Sequence, residues 1–281
     1  MKLLSFIVNG KASYGVLTDA GIVDLGSRLG DVAPDLKALL ASGIEQAEEF
    51  ASVGVDYQLA DVELLPVIPN PEDIWVVGMN TFSHMEEVNK IGIEKPQFPT
   101  LIHRGAKTLV ASGDTMEIAK AESFPDYEGE IALIIGKSCR NVSADEALDY
   151  VAGYSCFNDG SGRHYQMTST QMTAGKNGYR SGAFGPCMAT TDSIKLEDLE
   201  VSTKVNGEDR QRMKLDDLIF SFGELVAFIS EFTWLAPGDV IVTGSPSGVG
   251  VFQGKKLEAG DKVEITASGI GTLTNNMVDQ E

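Results

Sequence analysis

Cysteine, histidine and long apolar runs are scarce in this chain. Its 281 residues include three cysteines and three histidines. The cysteines are odd in number and have no Cys-x-x-Cys spacing, which disfavours both a disulfide framework and a zinc site built from thiolates. No apolar run approaches the roughly 18 residues that a membrane-spanning helix requires. We therefore expect a protein of a reducing compartment such as the cytoplasm.

Positive charge is also scarce. The chain has 22 Lys and Arg residues against 41 Asp and Glu residues, a formal net charge of -19. Nucleic acids and anionic membranes present phosphates that an acidic surface repels. This balance argues against both as partners. The N-terminal stretch MKLLSFIV meets a turn at Asn9-Gly10, so it is too short to be expected as a signal peptide.

The sequence pattern divides the chain into a small and a large unit. Short apolar runs separated by turn residues predict a β-meander in the first 25 residues, and residues 36–54 have apolar side chains at helical spacing. Three prolines, Pro66, Pro69 and Pro71, then interrupt the periodicity. We predict an N-terminal α/β domain over residues 1–68 and a larger domain over residues 69–281.

Strands outnumber helices in the larger unit. Ser143 with Glu146, and Ser221 with Glu224, have the spacing of a capping box, which predicts helices over residues 144–151 and 222–232. The segments 240–252 and 262–275 have the composition of strands broken by glycine turns. Because strands and helices do not alternate, the pattern predicts an α+β, mostly β fold rather than a doubly wound parallel sheet.

The stretch DYEGE places two carboxylates directly before the apolar run IALIIG. On a strand, Glu128 and Glu130 point to the same face, where their repulsion is relieved by protonation or by a cation. Asp159, in the sequence NDGSG, could complete a set of three carboxylates. Such a set suits Mg²⁺ or Mn²⁺. The alternative is a solvated strand end without a metal.

Three other groups have the chemistry of a catalytic site. His84 and Glu87 lie three residues apart, so on a helical turn the carboxylate could orient the imidazole as a general base. Lys176 lies between flexible residues, and Thr243 and Ser245 lie in a glycine-rich turn that could direct N–H groups at an anionic oxygen. The alternatives are an exposed helix, a solvated lysine and a tight hairpin.

As an ordered series, these stretches resemble the fumarylacetoacetate hydrolase family from about Ile74 to about Asn275. The motifs that carry the resemblance are GMNTFSHMEE, DYEGEIALIIGK, GYSCFNDGSGRHYQ, AGK, GPCMATTD, VNGEDRQ, LAPGDVIVTGSPSGVG and GDKVEITASGIGTLTN. The resemblance implies a catalytic domain with a rolled mixed β-sheet, a small N-terminal domain and a homodimer.

The resemblance also implies roles for individual residues. It makes Glu128, Glu130 and Asp159 ligands of Mg²⁺ or Mn²⁺, and it makes His84 and Glu87 a dyad that activates water, with Lys176 as the active-site lysine. The implied substrate contacts are Asn80, Arg163, Gln166, Thr243 and Ser245. Thr81, His164 and Ser245 depart from residues that are common in the family, and these positions bear on the choice of substrate.

The implied function is a metal-dependent hydrolase that binds a small-molecule 2-oxo or 2,4-dioxo acid. It would cleave a carbon-carbon bond in an acylpyruvate or a fumarylpyruvate-like acid, in the breakdown of aromatic compounds or sugar acids. Oxaloacetate decarboxylation and isomerisation of the 2-hydroxyhepta-2,4-diene-1,7-dioate type pass through the same enolate, so they remain alternatives. A catalytically silent protein that binds metal or ligand is a further alternative.

Overall fold

β-strands carry most of the regular structure in the computed structural model, which describes residues 1–50 and 53–281. The strands are β1 Lys2–Val8, β2 Lys11–Thr18, β3 Gly21–Asp24, β4 Glu63–Leu64, β5 Ile74–Gly78, β6 Thr100–His103, β7 Leu109–Val110, β8 Thr115–Ile118, β9 Pro125–Asp126, β10 Gly129–Ile135, β11 Val151–Asn158, β12 Ser161–Gly162, β13 Gly182–Thr190, β14 Glu200–Val205, β15 Glu208–Lys214, β16 Val240–Val242, β17 Lys262–Ala267 and β18 Gly271–Asp279.

The helices are short. The α-helices are α1 Gly26–Leu29, α2 Leu36–Ser42, α3 Phe82–Asn89, α4 Arg163–Gln166, α5 Thr173–Lys176, α6 Phe222–Phe232 and α7 Gly250–Gln253. The 3-10 helices are Ile44–Phe50, Leu59–Asp61, Ala106–Thr108, Ala147–Tyr150, Thr191–Ser193, Leu196–Asp198 and Leu215–Asp217. Within the described residues, none of the helices has both the length and the apolar character needed to cross a bilayer.

The described strands form two large sheets and a two-stranded one. The larger sheet has 11 strands in the order β3-β2-β1-β13-β11-β10-β16-β5-β6, with β4 added beside β1 and β7 beside β13. A five-stranded sheet has the order β15-β14-β17-β18-β8, and β12 pairs with β9. Both large sheets contain parallel and antiparallel pairs. This architecture confirms the predicted α+β, mostly β class.

The predicted N-terminal meander is present as β1, β2 and β3. Asn9 and Gly10 both have positive φ angles, 51° and 73°, as a tight turn between β1 and β2 requires. β1 also pairs with β13, with Lys2 opposite Ala189, so the N-terminal strands continue the larger sheet. The domain boundary at residues 68 and 69 stays a prediction.

One of the two predicted capping boxes forms an α-helix and the other does not. The Ser221 hydroxyl accepts from the Glu224 N–H at 3.3 Å, and the Glu224 carboxylate accepts from the Ser221 N–H at 2.7 Å, so α6 begins where predicted. At Ser143 the prediction was wrong. The Ser143 hydroxyl donates to the Glu146 carboxylate at 2.6 Å, which leaves the backbone N–H groups without that cap. The segment forms only the 3-10 helix Ala147–Tyr150.

The helical pattern over residues 36–54 is divided by a glycine. Helix α2 begins after Asp35, whose carboxylate accepts from the Ala38 N–H at 2.7 Å. It ends at Gly43, whose φ of 112° does not continue a helix. A 3-10 helix follows over Ile44–Phe50. Residues 51 and 52 of the predicted span lie outside the described residues.

Strand β10 is buried on both faces because it lies between two apolar clusters. Its residues Ile131, Leu133 and Ile135 belong to a cluster that also contains residues of the five-stranded sheet: Val201, Val263, Ile265 and Leu273. Ala132 and Ile134 belong to a second cluster with N-terminal residues, among them Leu3, Leu36 and Leu39. The start of β10, which includes Glu130 and directly follows Glu128, is therefore anchored deep in the fold.

Candidate active site

The pairing of β10 with β11 brings the three predicted carboxylates together. Gly129 lies opposite Asn158, and the Asp159 N–H donates to the Glu128 carbonyl at 2.9 Å. Asp159 therefore leaves the end of β11 beside the start of β10. Glu128, Glu130 and Asp159 each offer a carboxylate oxygen within 4.8 Å of the others, and all three residues are buried.

Gly129 is required between the two glutamates because there is no space for a side chain. A Cβ atom at this position would lie 1.9 Å from Thr203 Oγ1 and 3.3 Å from Ile265 Cγ1. The backbone of the DYEGE stretch thus packs directly on the five-stranded sheet. This close approach places both glutamates in the interior rather than at a solvated strand end.

Lys176 supplies a positive charge to the carboxylate cluster. It is the last residue of α5, and it is 2% exposed. Its ammonium group donates to Glu128 Oε2 at 2.8 Å, to Ser161 Oγ at 2.7 Å and to Asp159 Oδ2. Glu128 and Asp159 therefore share a buried cation.

Arg163 lies between two carboxylates and a glutamine. Its guanidinium donates to Asp126 Oδ2 at 2.9 Å and to Gln166 Oε1 at 2.9 Å, and it lies 2.6 Å from Glu128 Oε1. Asp126 also accepts from the N–H of Gly250 at 2.7 Å. Sequence reasoning assigned no role to Asp126, although it lies in the DYEGE stretch. Here its carboxylate holds Arg163 beside Glu128.

Arg104 is a site residue that the sequence did not indicate. Its side chain is fully buried, and its Nε and Nη2 atoms lie 3.0 and 2.7 Å from Asp159 Oδ1. Nη2 also donates to the Gly160 carbonyl at 2.7 Å. Arg104 and Asp159 are 55 residues apart along the chain, so no local pattern could have joined them. A single arginine at the end of an apolar strand was the one available signal.

The three carboxylates differ in their surroundings. Burial by itself raises the pKa of Glu128, but the charges of Lys176 and Arg163 outweigh it and hold this pKa below its usual range. Burial, together with the charges of Asp159 and Glu128, raises the pKa of Glu130 well above its usual value. The N–H of Gly244 donates to Glu130. Among the described residues, no lysine, arginine or histidine forms a salt bridge with Glu130.

The donor set fits a hard divalent cation. Oxygen ligands from three carboxylates suit Mg²⁺ and Mn²⁺, whereas zinc more often takes histidine or cysteine. Glu130 is the buried carboxylate of this set without a basic partner in the described chain, and a cation beside it would relieve the repulsion of Glu128 and Asp159. The buried cluster could therefore bind a divalent metal.

The predicted His84–Glu87 pair is formed on α3. Thr81 Oγ1 accepts from the His84 N–H at 3.2 Å, which caps the start of this helix. His84 Nδ1 lies 3.0 Å from Glu87 Oε2. The other oxygen of Glu87 accepts from the Gly248 N–H at 2.9 Å, so the glycine-rich turn holds the carboxylate that faces the imidazole.

The other predicted substrate contacts have structural partners. The Asn80 amide donates to the Thr243 carbonyl at 2.8 Å, and the Thr243 hydroxyl donates to the Ile131 carbonyl at 3.0 Å. Both residues are fully buried. Ser245 Oγ accepts from Gln211 Nε2 at 2.7 Å. For all three predicted residues, contact with substrate stays a prediction.

A cavity of about 50 Å³ joins most of these groups. It is lined by Val77, Gly78, Met79, His84, Ile102, Glu128, Arg163, Gln166, Met172, Lys176 and Ser245. The dyad histidine, one carboxylate of the cluster and two cationic side chains thus line one space.

Comparisons with known proteins identify the family of this chain. The family described as "Fumarylacetoacetate (FAA) hydrolase C-terminal" matches residues 73–278. An uncharacterized protein of Archaeoglobus fulgidus is 36% identical over 225 residues, which are 80% of this chain and 86% of that protein.

Several solved structures cover the whole of this chain and are themselves wholly covered, among them a hydrolase and an isomerase. Maleylpyruvate hydrolase from Sphingobium sp. SYK-6, in complex with manganese(II) ion and pyruvate, has a TM-score of 0.83 at 26% identity. The 5-carboxymethyl-2-hydroxymuconate delta-isomerase from Mycobacterium smegmatis has a TM-score of 0.80 at 29% identity. The chain belongs to the fumarylacetoacetate hydrolase family of enzymes.

Proposed function

We propose that this protein is a divalent-metal-dependent hydrolase that cleaves a carbon-carbon bond in 2,4-dioxo acids of the acylpyruvate class. One observation carries the proposal: His84, paired with Glu87, lines the same cavity as Glu128 of the buried carboxylate cluster. A base that can activate water therefore adjoins carboxylates that could hold a divalent ion.

In this proposal, Glu128, Glu130 and Asp159 hold Mg²⁺ or Mn²⁺, which supplies Lewis-acid polarisation of the oxygens of the 2-oxo acid group. The manganese ion and pyruvate in the solved maleylpyruvate hydrolase support this assignment. Arg104, Lys176 and Arg163 hold Glu128 and Asp159 in place through their hydrogen bonds and ion pairs.

His84 is the proposed general base. When Nδ1–H donates to Glu87, the lone pair of Nε2 is available to take a proton from water. The hydroxide adds to the distal carbonyl carbon, and the bond between that carbon and the neighbouring methylene carbon breaks. The acyl group leaves as a carboxylic acid. The pyruvate enolate takes this proton back from the His84 imidazolium to give pyruvate, and Glu87 stabilises the imidazolium until then.

Lys176 has a limited capacity for further contacts. An ammonium group has three N–H donors, and Glu128, Asp159 and Ser161 accept them. A hydrogen bond from Lys176 to a substrate oxygen therefore requires exchange of one of these contacts. We propose that, after such an exchange, Lys176 donates a hydrogen bond to a substrate oxygen and so holds the substrate in place.

Isomerisation is the second candidate. The solved delta-isomerase at 29% identity favours it, because isomerisation of such acids also passes through an enolate. Oxaloacetate decarboxylation uses the same enolate. Neither reaction needs an attacking water, whereas a His–Glu pair at the cavity suits one. Hydrolysis therefore gives a role to more of the residues at this site than isomerisation or decarboxylation does.

A substrate panel tests the proposal. Purified protein with Mn²⁺ or Mg²⁺ should release pyruvate from acylpyruvates, with the matching carboxylic acid as second product. Turnover of oxaloacetate alone, or conversion of a hydroxymuconate without cleavage, would assign one of the other reactions. Failure to turn over any of these compounds would favour a silent binding protein.

A histidine variant tests the assigned base. His84→Ala should lower turnover by roughly 10²- to 10⁴-fold while Mn²⁺ binding, measured by calorimetry, is retained. His103→Ala is the matched control, because the His103 side chain is 46% exposed and pairs with Asp73. Equal turnover by His84→Ala and His103→Ala would rule out the assigned base.

A further inference from the structure

The lining of the cavity has a basic part and an apolar part. The basic side chains are His84, Arg163 and Lys176. The apolar side chains are Val77, Met79, Ile102 and Met172. A substrate that fills this space must match both parts. How many negative charges a bound substrate can carry therefore depends on whether these basic groups already have acidic partners in the protein.

Each basic group of the lining already has an acidic partner. His84 pairs with Glu87 at 3.0 Å. Arg163 lies 2.6 Å from Glu128 and 2.8 Å from Asp126. Lys176 lies 2.8 Å from Glu128 and also contacts Asp159. Among the described residues that line the cavity, no cation remains for a carboxylate at the distal end of a substrate.

The charges around Glu128 lead to the same result. Five carboxylates, Asp126, Glu128, Glu130, Asp159 and Glu87, lie beside three cationic side chains, Arg104, Arg163 and Lys176. A bound divalent ion would offset this surplus of two negative charges and would leave no positive charge over. The carboxylate of the 2-oxo acid group would be held by the ion itself. A second carboxylate would be buried without a compensating charge, which is costly in a desolvated site.

The size and shape of the apolar part favour a short group. The cavity of about 50 Å³ has about a third of the volume, roughly 150 Å³, of an engineered apolar cavity that holds one benzene molecule. Met79 and Met172 are only partly buried, and the unbranched thioether side chain repacks readily. These two side chains can therefore move to admit a small acyl group.

We infer that the acyl part of the substrate is short, uncharged and apolar, and that it lies against Val77, Met79, Ile102 and Met172. The site thus selects monoanionic acylpyruvates over dianionic ones. This inference rests on the proposed function, because it assigns the 2-oxo acid group to the metal end of the cavity.

A matched pair of ligands tests it without turnover. 2-Oxopentanoate and 2-oxoglutarate share a five-carbon 2-oxo acid skeleton and differ in a terminal methyl against a terminal carboxylate. Titrated calorimetrically into the Mn²⁺-loaded protein, 2-oxoglutarate should bind at least roughly tenfold more weakly. Equal or tighter binding of 2-oxoglutarate would overturn the inference and leave the hydrolase proposal standing.

A charge introduced among the apolar lining residues tests the inference in the opposite direction. Met79→Lys places a cation beside the distal end of the ligand and should reverse the preference, so that 2-oxoglutarate binds more tightly. The neutral control Met79→Gln should keep the preference for 2-oxopentanoate. The same preference in both variants would show that Met79 does not face the distal group, which contradicts the inference.

The outcomes separate the two proposals. Discrimination between the ligands without acylpyruvate cleavage would support the charge selection and refute the hydrolase. Binding of neither ligand to the Mn²⁺-loaded protein would refute both, because the cavity would then not accept a 2-oxo acid.

Discussion

Arg104 is the largest of the fully buried side chains in the described chain, and its charge is directed at one carboxylate. Two of its nitrogens lie 3.0 and 2.7 Å from Asp159 Oδ1, while Lys176 contacts Oδ2 of the same residue. Removal of Arg104 would leave Asp159 Oδ1 buried without its charged donor, because Lys176 contacts only the other carboxylate oxygen. Arg104 thus fixes the position of a predicted metal ligand without lining the cavity.

Replacement of Arg104 should destabilise the protein strongly. We expect Arg104→Met to lower the free energy of unfolding by about 3–5 kcal/mol, because Asp159 then loses its guanidinium partner in the interior. Urea denaturation would measure the change. Arg180→Met is the control: Arg180 forms partly exposed pairs with Asp114 and Glu117, which are worth about 0–1 kcal/mol. Similar losses in both variants would contradict the assigned role.

At the scale of elements, the position of α3 depends on the glycine-rich turn after β16. Three hydrogen bonds join them: Thr81 Oγ1 to the Ser245 carbonyl at 2.8 Å, the Ser247 N–H to Ser83 Oγ at 3.1 Å, and the Gly248 N–H to Glu87 Oε1 at 2.9 Å. Gly248 has a φ of 98°, and a Cβ there would lie 2.1 Å from the Arg210 carbonyl oxygen. A side chain at this position would displace the turn that holds Glu87.

Gly248→Ala should therefore impair catalysis as well as stability. The matched control is Gly254→Ala, because Gly254 also has a positive φ, 66°, but a Cβ atom there would meet nothing within 4 Å in the described chain. Gly254→Ala should lower the free energy of unfolding by only about 1–2 kcal/mol, which is the cost of a left-handed backbone conformation for a residue with a side chain. Gly248→Ala should lose more stability and most of its pyruvate release. Thermal unfolding and the pyruvate assay would compare the two variants. Equal losses of stability and activity in both would show that the turn at Gly248 does not hold Glu87 in place.

A salt bridge between Arg28 of α1 and Asp56 makes the stability of the N-terminal region depend on pH. Asp56 accepts from Arg28 at 2.6 and 3.0 Å and from the Asp24 N–H at 2.8 Å. Hydrogen bonding by Arg28 lowers the pKa of Asp56 in spite of partial desolvation. A carboxyl group with a lowered folded-state pKa stabilises the fold above its unfolded pKa, and this contribution is lost as the pH falls.

Asp56→Asn should accordingly lower the melting temperature near neutral pH. The difference from the parent should shrink below about pH 4, where the unfolded-state carboxyl, with a pKa of about 3.9, becomes protonated. Melting curves at about pH 7 and about pH 3 would measure this. A difference of the same size at both pH values would show that the charge of Asp56 contributes nothing.

At the scale of the whole molecule, the assembly state is a prediction from the family. A homodimer should sediment with twice the chain mass of 30.1 kDa. Each chain has a net charge of -19, so repulsion between copies should be stronger at low salt, where the screening length is greater. Sedimentation at about 10 mM and about 150 mM salt should therefore give a larger dimer fraction at the higher value. A monomer at both would refute the prediction.

Patterns between near neighbours in the chain determined much of this protein. Alternation and turn residues were enough to predict β1 to β3, and the Ser221 cap was enough to predict the start of α6. The DYEGE and NDGSG stretches predicted Glu128, Glu130 and Asp159 as one set of carboxylates, and the three do lie close together. Such features depend on hydrogen bonds and side-chain directions within a few residues, which the local sequence specifies.

Only the tertiary structure decided which distant groups meet. It paired Arg104 with Asp159, placed Asp126 against Arg163, and set Gly248 against Glu87. It also decided that Ser143 and Glu146 bond to each other instead of capping an α-helix. These contacts depend on strand register and burial across the fold. A short window of sequence around Asp159 or Glu128 does not contain the distant arginine or lysine that neutralises it. The local sequence therefore cannot show which charged side chains will pair.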